Sequence, residues 1–223
     1  MKVDDFIKRF RTHLRDAADP PFWVDEEIVG FLNEAVQEAC ERSKLIEDRS
    51  TPEVCSIVTV PGQSTYKLHA SVFQIKRLAL QGRPLEETCV EALDCDSPGW
   101  ENRSGKPRCF IVEQASGVSP ANIRLVATPN LVETLALTVY RGALKPLIAD
   151  AGIFKPEIPE RFHERLLDWV YHRAYLKQDA DAFDPKKAAE SLGLFIQSFG
   201  ERPDANVQRK RRDKRPPVVR MRW

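Results

Sequence analysis

Apolar positions near the start of the chain recur at helical spacing. Val3, Phe6, Ile7, Phe10 and Leu14 fall on one face with charged residues between them, which predicts an amphipathic helix. The "DPP" of Asp19, Pro20 and Pro21 is expected to end it. A second stripe, Ile28, Val29, Leu32, Ala35, Val36 and Ala39, predicts a helix opening at "VDEEIVGFLNEAVQEA". Asp25 is the expected N-cap, Glu26 and Glu27 suit the positive end of the dipole, and Val24 and Val29 have the spacing of a hydrophobic staple. The same period returns late in the chain. Phe162, Leu166, Trp169, Val170 and Ala174 share a face in "EIPERFHERLLDWVYHRAYLKQD", with Pro159 in the first turn. Ala188, Leu192, Phe195, Ile196 and Phe199 follow the cap-and-proline pair Asp184-Pro185, and Gly200 then Pro203 make the stop.

Between these pairs the period shortens to two. "CSIVTV" and "STYKL" flank Pro61-Gly62-Gln63 and predict a hairpin. "FQIKRLAL" runs into the turn Gly82-Arg83-Pro84, and "RCFIVE", "NIRLVA" and "LALTVY" are three further strands. The stretch "DCDSPGWENRSGKP" has loop chemistry. Each predicted helix is apolar on one side only and must bury that stripe on the others, most simply as an antiparallel bundle. The expected fold is therefore α+β: an antiparallel helical bundle from residues 1–50 and 149–203, an inserted small β domain over 51–148, and an extended basic C-terminal arm over 204–223.

Charge sharpens the picture at the end of the chain. The total is 34 Lys and Arg against 33 Asp and Glu, yet the last sixteen residues, "QRKRRDKRPPVVRMRW", hold eight bases and one acid. The bases are Arg209, Lys210, Arg211, Arg212, Lys214, Arg215, Arg220 and Arg222, with Asp213 alone opposing them. The preceding 207 residues hold 26 bases and 32 acids, so a mildly acidic body carries a strongly basic arm. Pro216 and Pro217 exclude a helix there, and the alternating "VVRMRW" that follows suits strand addition to a partner's sheet edge. Val218, Val219 and Trp223 are its candidate anchors.

Catalytic chemistry is not visible. His163-Glu164 begins like the zincin signature H-E-x-x-H, but Leu167 stands where the second His belongs. Asp168 and His172 are spaced i, i+4 and could hold a metal or relay a proton, although such a pair is more often a surface ion pair. Asp179, Asp181 and Asp184 resemble the opening of a calcium loop without its later Gly and Glu, and read as a solvated turn. No phosphate-binding glycine loop and no nucleophile elbow occurs. The five cysteines, Cys40, Cys55, Cys89, Cys95 and Cys109, show no C-x-x-C spacing and are expected to be reduced, mostly buried thiols. Trp23, Trp100 and Trp169 are expected to be packing anchors. No cofactor or metal is expected. No run approaches the roughly 20 apolar residues of a membrane span, and "MKVDDFIKRF" lacks the apolar core of a signal peptide, so no membrane partner is expected either.

Four phrases, in this order, resemble the head–tail connector (adaptor) proteins of tailed bacteriophages. They are "FWVDEEIVGFLNEAVQEACERS", "GRPLEETCVEALDCDSPGWENRSGKPRCFIV", "RLVATPN" ahead of a strand, and "IPERFHERLLDWVYHRAYLKQDAD" ahead of a helix that ends at Phe199-Gly200. Together they cover most of residues 20 to 200. The resemblance implies a non-enzymatic virion protein at the head–tail junction, present in the host cytoplasm during assembly. It implies a self-assembled ring, usually a dodecamer, beneath the portal protein, with tail or nozzle proteins below. Genomic DNA would pass through the channel without sequence-specific binding. The C-terminal arm, Arg209 to Trp223, would hold the portal. An acidic body agrees with a channel that must not grip phosphates. The alternative is a nucleic-acid-binding protein that uses the basic arm. It is the weaker reading, since the body offers neither a supporting basic patch nor aromatic stacking residues in a basic context.

Overall fold

The computed structural model describes residues 1–113, 121–149, 155–178 and 182–204. The arm residues from Arg209 to Trp223, and Asp179 and Asp181, lie outside the described residues. The chain divides into two compact units, one of Met1–Glu47 with Tyr140–Arg202, the other built on Asp48–Val139.

In the first unit, α1 (Val3–Leu14) buries Val3, Phe6, Ile7 and Phe10. It stops at Arg15, whose left-handed backbone (φ 56°) returns its N–H to the Arg11 carbonyl, before the proline pair is reached. Asp16 then secures the loop: it takes the Arg11 guanidinium at 2.7 Å and the Phe22 N–H at 2.9 Å. α2 (Asp25–Ser43) begins one residue earlier than an Asp25 cap would set it, with Val24 as N-cap. Val24 is exposed, and Asp25 instead pairs with Arg11 at 2.5 Å. α5 (Leu166–Tyr175) packs on α2 and on α6 (Pro185–Phe199) and touches α1. The rings of Trp169 and Phe195 meet at 5.1 Å, and Phe195 and Phe199 at 4.7 Å. Asp184 caps α6 by accepting from the Lys187 N–H at 3.1 Å, and Pro185 follows in the first turn. Gly200, at φ +84°, ends it.

The second unit is built from β strands. Among the described residues the strands are β1 (Ile46–Asp48), β2 (Ser56–Val58), β3 (Thr65–Lys67), β4 (Val72–Leu80), β5 (Arg83–Thr88), β6 (Cys109–Glu113), β7 (Asn122–Val126) and β8 (Thr134–Arg141). They form one eight-stranded sheet in the order β1-β8-β4-β5-β6-β7-β3, with β2 also paired to β8. β1 and β8 run across the division between the units. β8 alternates cleanly, burying Leu135, Leu137, Val139 and Arg141. β4 and β5 are joined by Gln81 and Gly82, both at positive φ (49° and 79°), which is the backbone that a tight two-residue hairpin requires.

Four sequence expectations are corrected here. The chain is α+β, but it is not an antiparallel helical bundle with a small β insert, because the eight-stranded sheet dominates and the helices are few and mostly short. The third predicted helix shrinks to the ten residues of α5. Its expected first turns are a 3-10 turn (Glu160–Phe162) fixed by His163, whose ring bonds the Ile158 carbonyl at 2.9 Å. The turn at Gly62 does not close a hairpin: β2 pairs with β8 and β3 with β7, because Gly62 donates its N–H to the Pro129 carbonyl at 2.9 Å. The segment expected to be loop is a crossover. α4 (Val90–Asp96) and a 3-10 turn (Trp100–Asn102) carry the chain from β5 to β6, which therefore pair in parallel. Trp100 holds that crossover down. It is buried against Ile111 and Val126, its indole N–H donates to Asp94 at 2.9 Å, and the Arg124 guanidinium lies 4.7 Å above its ring. Between β1 and β2 the short α3 (Pro52–Cys55) interrupts the sheet edge.

Candidate interaction surfaces

The sequence places the functional weight on the arm. Its residues after Asp204 lie outside the described ones. After Gly200 the chain is tied to α2 at several points. Arg42 donates to the Gly200 carbonyl at 3.2 Å, and the Ser43 hydroxyl donates to the Phe199 carbonyl at 2.7 Å. Arg202 reaches Glu38 at 3.3 Å and Glu41 at 3.4 Å. Arg42 is itself locked: two of its guanidinium nitrogens bind one Glu38 oxygen, at 3.0 and 2.8 Å, and its charge sits 5.4 Å from the Trp169 ring and 5.2 Å from that of Phe195. Its side chain is only 6% exposed, so this pair is desolvated and geometrically specified. Residues Phe199–Arg202 are therefore held at a fixed place on the helical unit.

A second surface was not legible in the sequence. In the sheet unit, residues 58–60 and 131–133 lie side by side. The Thr59 N–H bonds the Glu133 carbonyl at 2.8 Å, and the Thr59 hydroxyl bonds the Leu131 carbonyl at 2.9 Å. With Thr59 turned inward, its neighbours turn outward: Val58, Val60, Leu131 and Val132 are each between 51 and 66% exposed. Tyr66 stiffens this tip. Its hydroxyl accepts from the Val60 N–H at 2.9 Å and donates to the Gln63 carbonyl at 2.7 Å. Among residues 56–66 and 126–134 the one charged side chain is Glu133. The signal available beforehand was the uncharged "SIVTVPGQSTY" itself, whose alternation does not tell which face stays uncovered.

The histidines take structural positions. His172 bonds the Ala188 carbonyl of α6 through Nδ1 at 2.8 Å, so it turns toward α6. Asp168 lines a shallow groove with Lys8, Arg9, His13, Arg165 and Tyr171. One Asp168 oxygen is buried without a hydrogen-bond partner, and burial raises its pKa, opposed by Arg165 and His13. His13 stacks on Tyr171 at 4.2 Å, and burial pushes the Tyr171 hydroxyl up to about 12. His163 is buried, and its Nε2–H donates to the Ile158 carbonyl while Nδ1 accepts from the Met1 amino group at 2.8 Å. Among the described residues no cluster of three or more His, Cys, Asp or Glu is arranged to hold a metal. None of the five cysteines is in a disulfide: Cys40 and Cys55 are buried, Cys89 and Cys109 half-buried, and Cys95 exposed. Burial pushes the Cys40 thiol up to about 12, away from the thiolate that nucleophilic or redox chemistry needs. Among the described residues no helix is long and apolar enough to cross a membrane.

Among known families the chain matches the one described as SU10 adaptor protein, over residues 1–222. No curated protein matches the chain.

Proposed function

Because the chain belongs to the SU10 adaptor protein family, which makes it a structural adaptor of a phage virion, we propose that it forms a ring beneath the portal. The ring joins the capsid to the tail and continues the DNA channel. The observation that carries this reading is the family match over nearly the whole chain. The segregation of charge supports it. A body with 32 acids against 26 bases, lining a passage, lets phosphates slide, whereas a basic wall would hold them.

In this reading residues 204–223 are an extended arm that docks on the portal, and the surface away from the portal receives tail or nozzle proteins. Arg209, Lys210, Arg211, Arg212, Lys214 and Arg215 seek acidic side chains, where guanidinium–carboxylate pairs give bidentate contacts. Arg220 and Arg222 continue that role beside the anchors Val218, Val219 and Trp223. The anchored exit at Arg42 and Arg202 supports the assignment, since an arm sprung from a fixed point loses less freedom on docking than one hung from a slack linker. The reading involves no catalysis, cofactor or membrane.

Truncation after Asn206 tests it. The shortened chain is expected to stay folded and to lose portal binding, while neither form binds duplex DNA tightly. Loss of duplex binding with portal attachment unchanged would make the arm a nucleic-acid hook instead.

A further inference from the structure

We infer that the apolar tip of the sheet unit is a contact between copies of this chain. In the ring proposed above, on which this inference rests, Val58, Val60, Leu131 and Val132 of one copy seat on Val24, Leu176 and Phe183 of the next.

The tip has the properties of a built contact. Its four aliphatic side chains are each more than half exposed and lie on adjacent segments, an apolar patch of the kind that often serves as an interaction site on a soluble protein. In a chain of which 30% is charged, one charged residue in this region is a marked depletion. The tip is also held rigid by the Thr59 and Tyr66 hydrogen bonds, so docking it costs little ordering.

The occupant follows from a second exposed patch, of different make, on the helical unit. Val24 precedes α2, Leu176 follows α5 and Phe183 precedes the cap of α6, and each is 38 to 52% exposed. Two links bring these chain ends together. Lys177 bonds Glu27 at 2.8 Å and the Phe22 carbonyl at 3.4 Å, and the Asp184 N–H bonds the Tyr175 carbonyl at 3.0 Å. In a ring each copy meets its two neighbours through two unlike faces, and two unlike apolar patches on one chain supply such a pair. In the proposed ring they meet head to tail, the type of contact that closes rings. The charges agree: Glu133 beside the tip and Lys186 beside Phe183 are opposite in sign, and among the described residues neither is held in an ion pair.

The test uses the full chain assembled on its portal, with ring formation read by negative-stain imaging and sedimentation. Leu131→Glu and Leu176→Lys should each keep the wild-type circular dichroism and melting behaviour, because both side chains are exposed. Each should raise the concentration for half-assembly by at least about tenfold. The double variant Leu131→Glu with Leu176→Lys should recover rings through the new ion pair. Should Leu131→Glu perturb folding, Val132→Glu serves in its place. Wild-type rings from either single variant, or no recovery in the double variant, would overturn the pairing. Intact rings that no longer take a tail component would give the tip to the tail instead, and overturn it too. Absence of rings from the wild-type chain would refute the ring itself, a result distinct from all of these.

Discussion

Arg202 holds Glu38 of α2 at 3.3 Å, two residues before the described chain ends. Glu38 also takes the buried Arg42, so one carboxylate ties both Arg202 and the core of the helical unit. Through Arg42 the same carboxylate is linked to the rings of Trp169 on α5 and Phe195 on α6.

The two arginines should therefore differ sharply on substitution. Arg42→Ala leaves the largely buried Glu38 with only the exposed Arg202 and uncovers the Trp169 and Phe195 rings, and is expected to lower stability by about 1–3 kcal/mol in urea denaturation. Arg202→Ala removes an exposed pair and should cost under about 1 kcal/mol. Equal, small losses would show that Arg42 is not the buried tie described here.

The tip offers a second test. Tyr66→Phe keeps the ring but strips its hydroxyl from the Val60 N–H and the Gln63 carbonyl. A loss of about 1–3 kcal/mol is expected, with faster amide exchange at Val60. An unchanged exchange rate at Val60 would mean that the tip owes its rigidity to Thr59 alone.

A third prediction concerns acid. Burial is the largest influence on His163 and holds its pKa below the ordinary value of about 6.5; the nearby Met1 amino group and Lys155 push the same way, against the Ile158 carbonyl and Glu160. The folded state thus prefers the neutral ring, and the unfolded state binds a proton at higher pH. The contribution is full above about pH 6.5 and is lost as pH falls from there through the depressed folded value, with no further change below it. His163→Gln should flatten that segment of the stability curve. The same slope in wild type and variant would assign it to other groups.

What was legible in the sequence was local. The stripes of α1, α2 and α6 were readable because a helix buries residues three and four apart, and the Asp184-Pro185 start needs nothing beyond its own turn. Trp100 was recognisable as a packing anchor from its type. The crossover it pins was not, because α4 has seven residues, buries none fully, and owes its place to Ile111 and Val126 farther along the chain. The hairpin expected at Gly62 failed for the same reason: the partners of β2 and β3 lie about 60 to 80 residues away, and alternation alone does not choose them. The apolar tip is the product of that distant pairing, so it was invisible until residues 58–60 and 131–133 were seen together.

The most direct test of the account is to image the purified chain mixed with its portal, in negative stain. The account predicts a toroid stacked on the portal, lost when residues 207–223 are removed. Bare portals beside unassembled protein, or a chain that binds duplex DNA and ignores the portal, would contradict it.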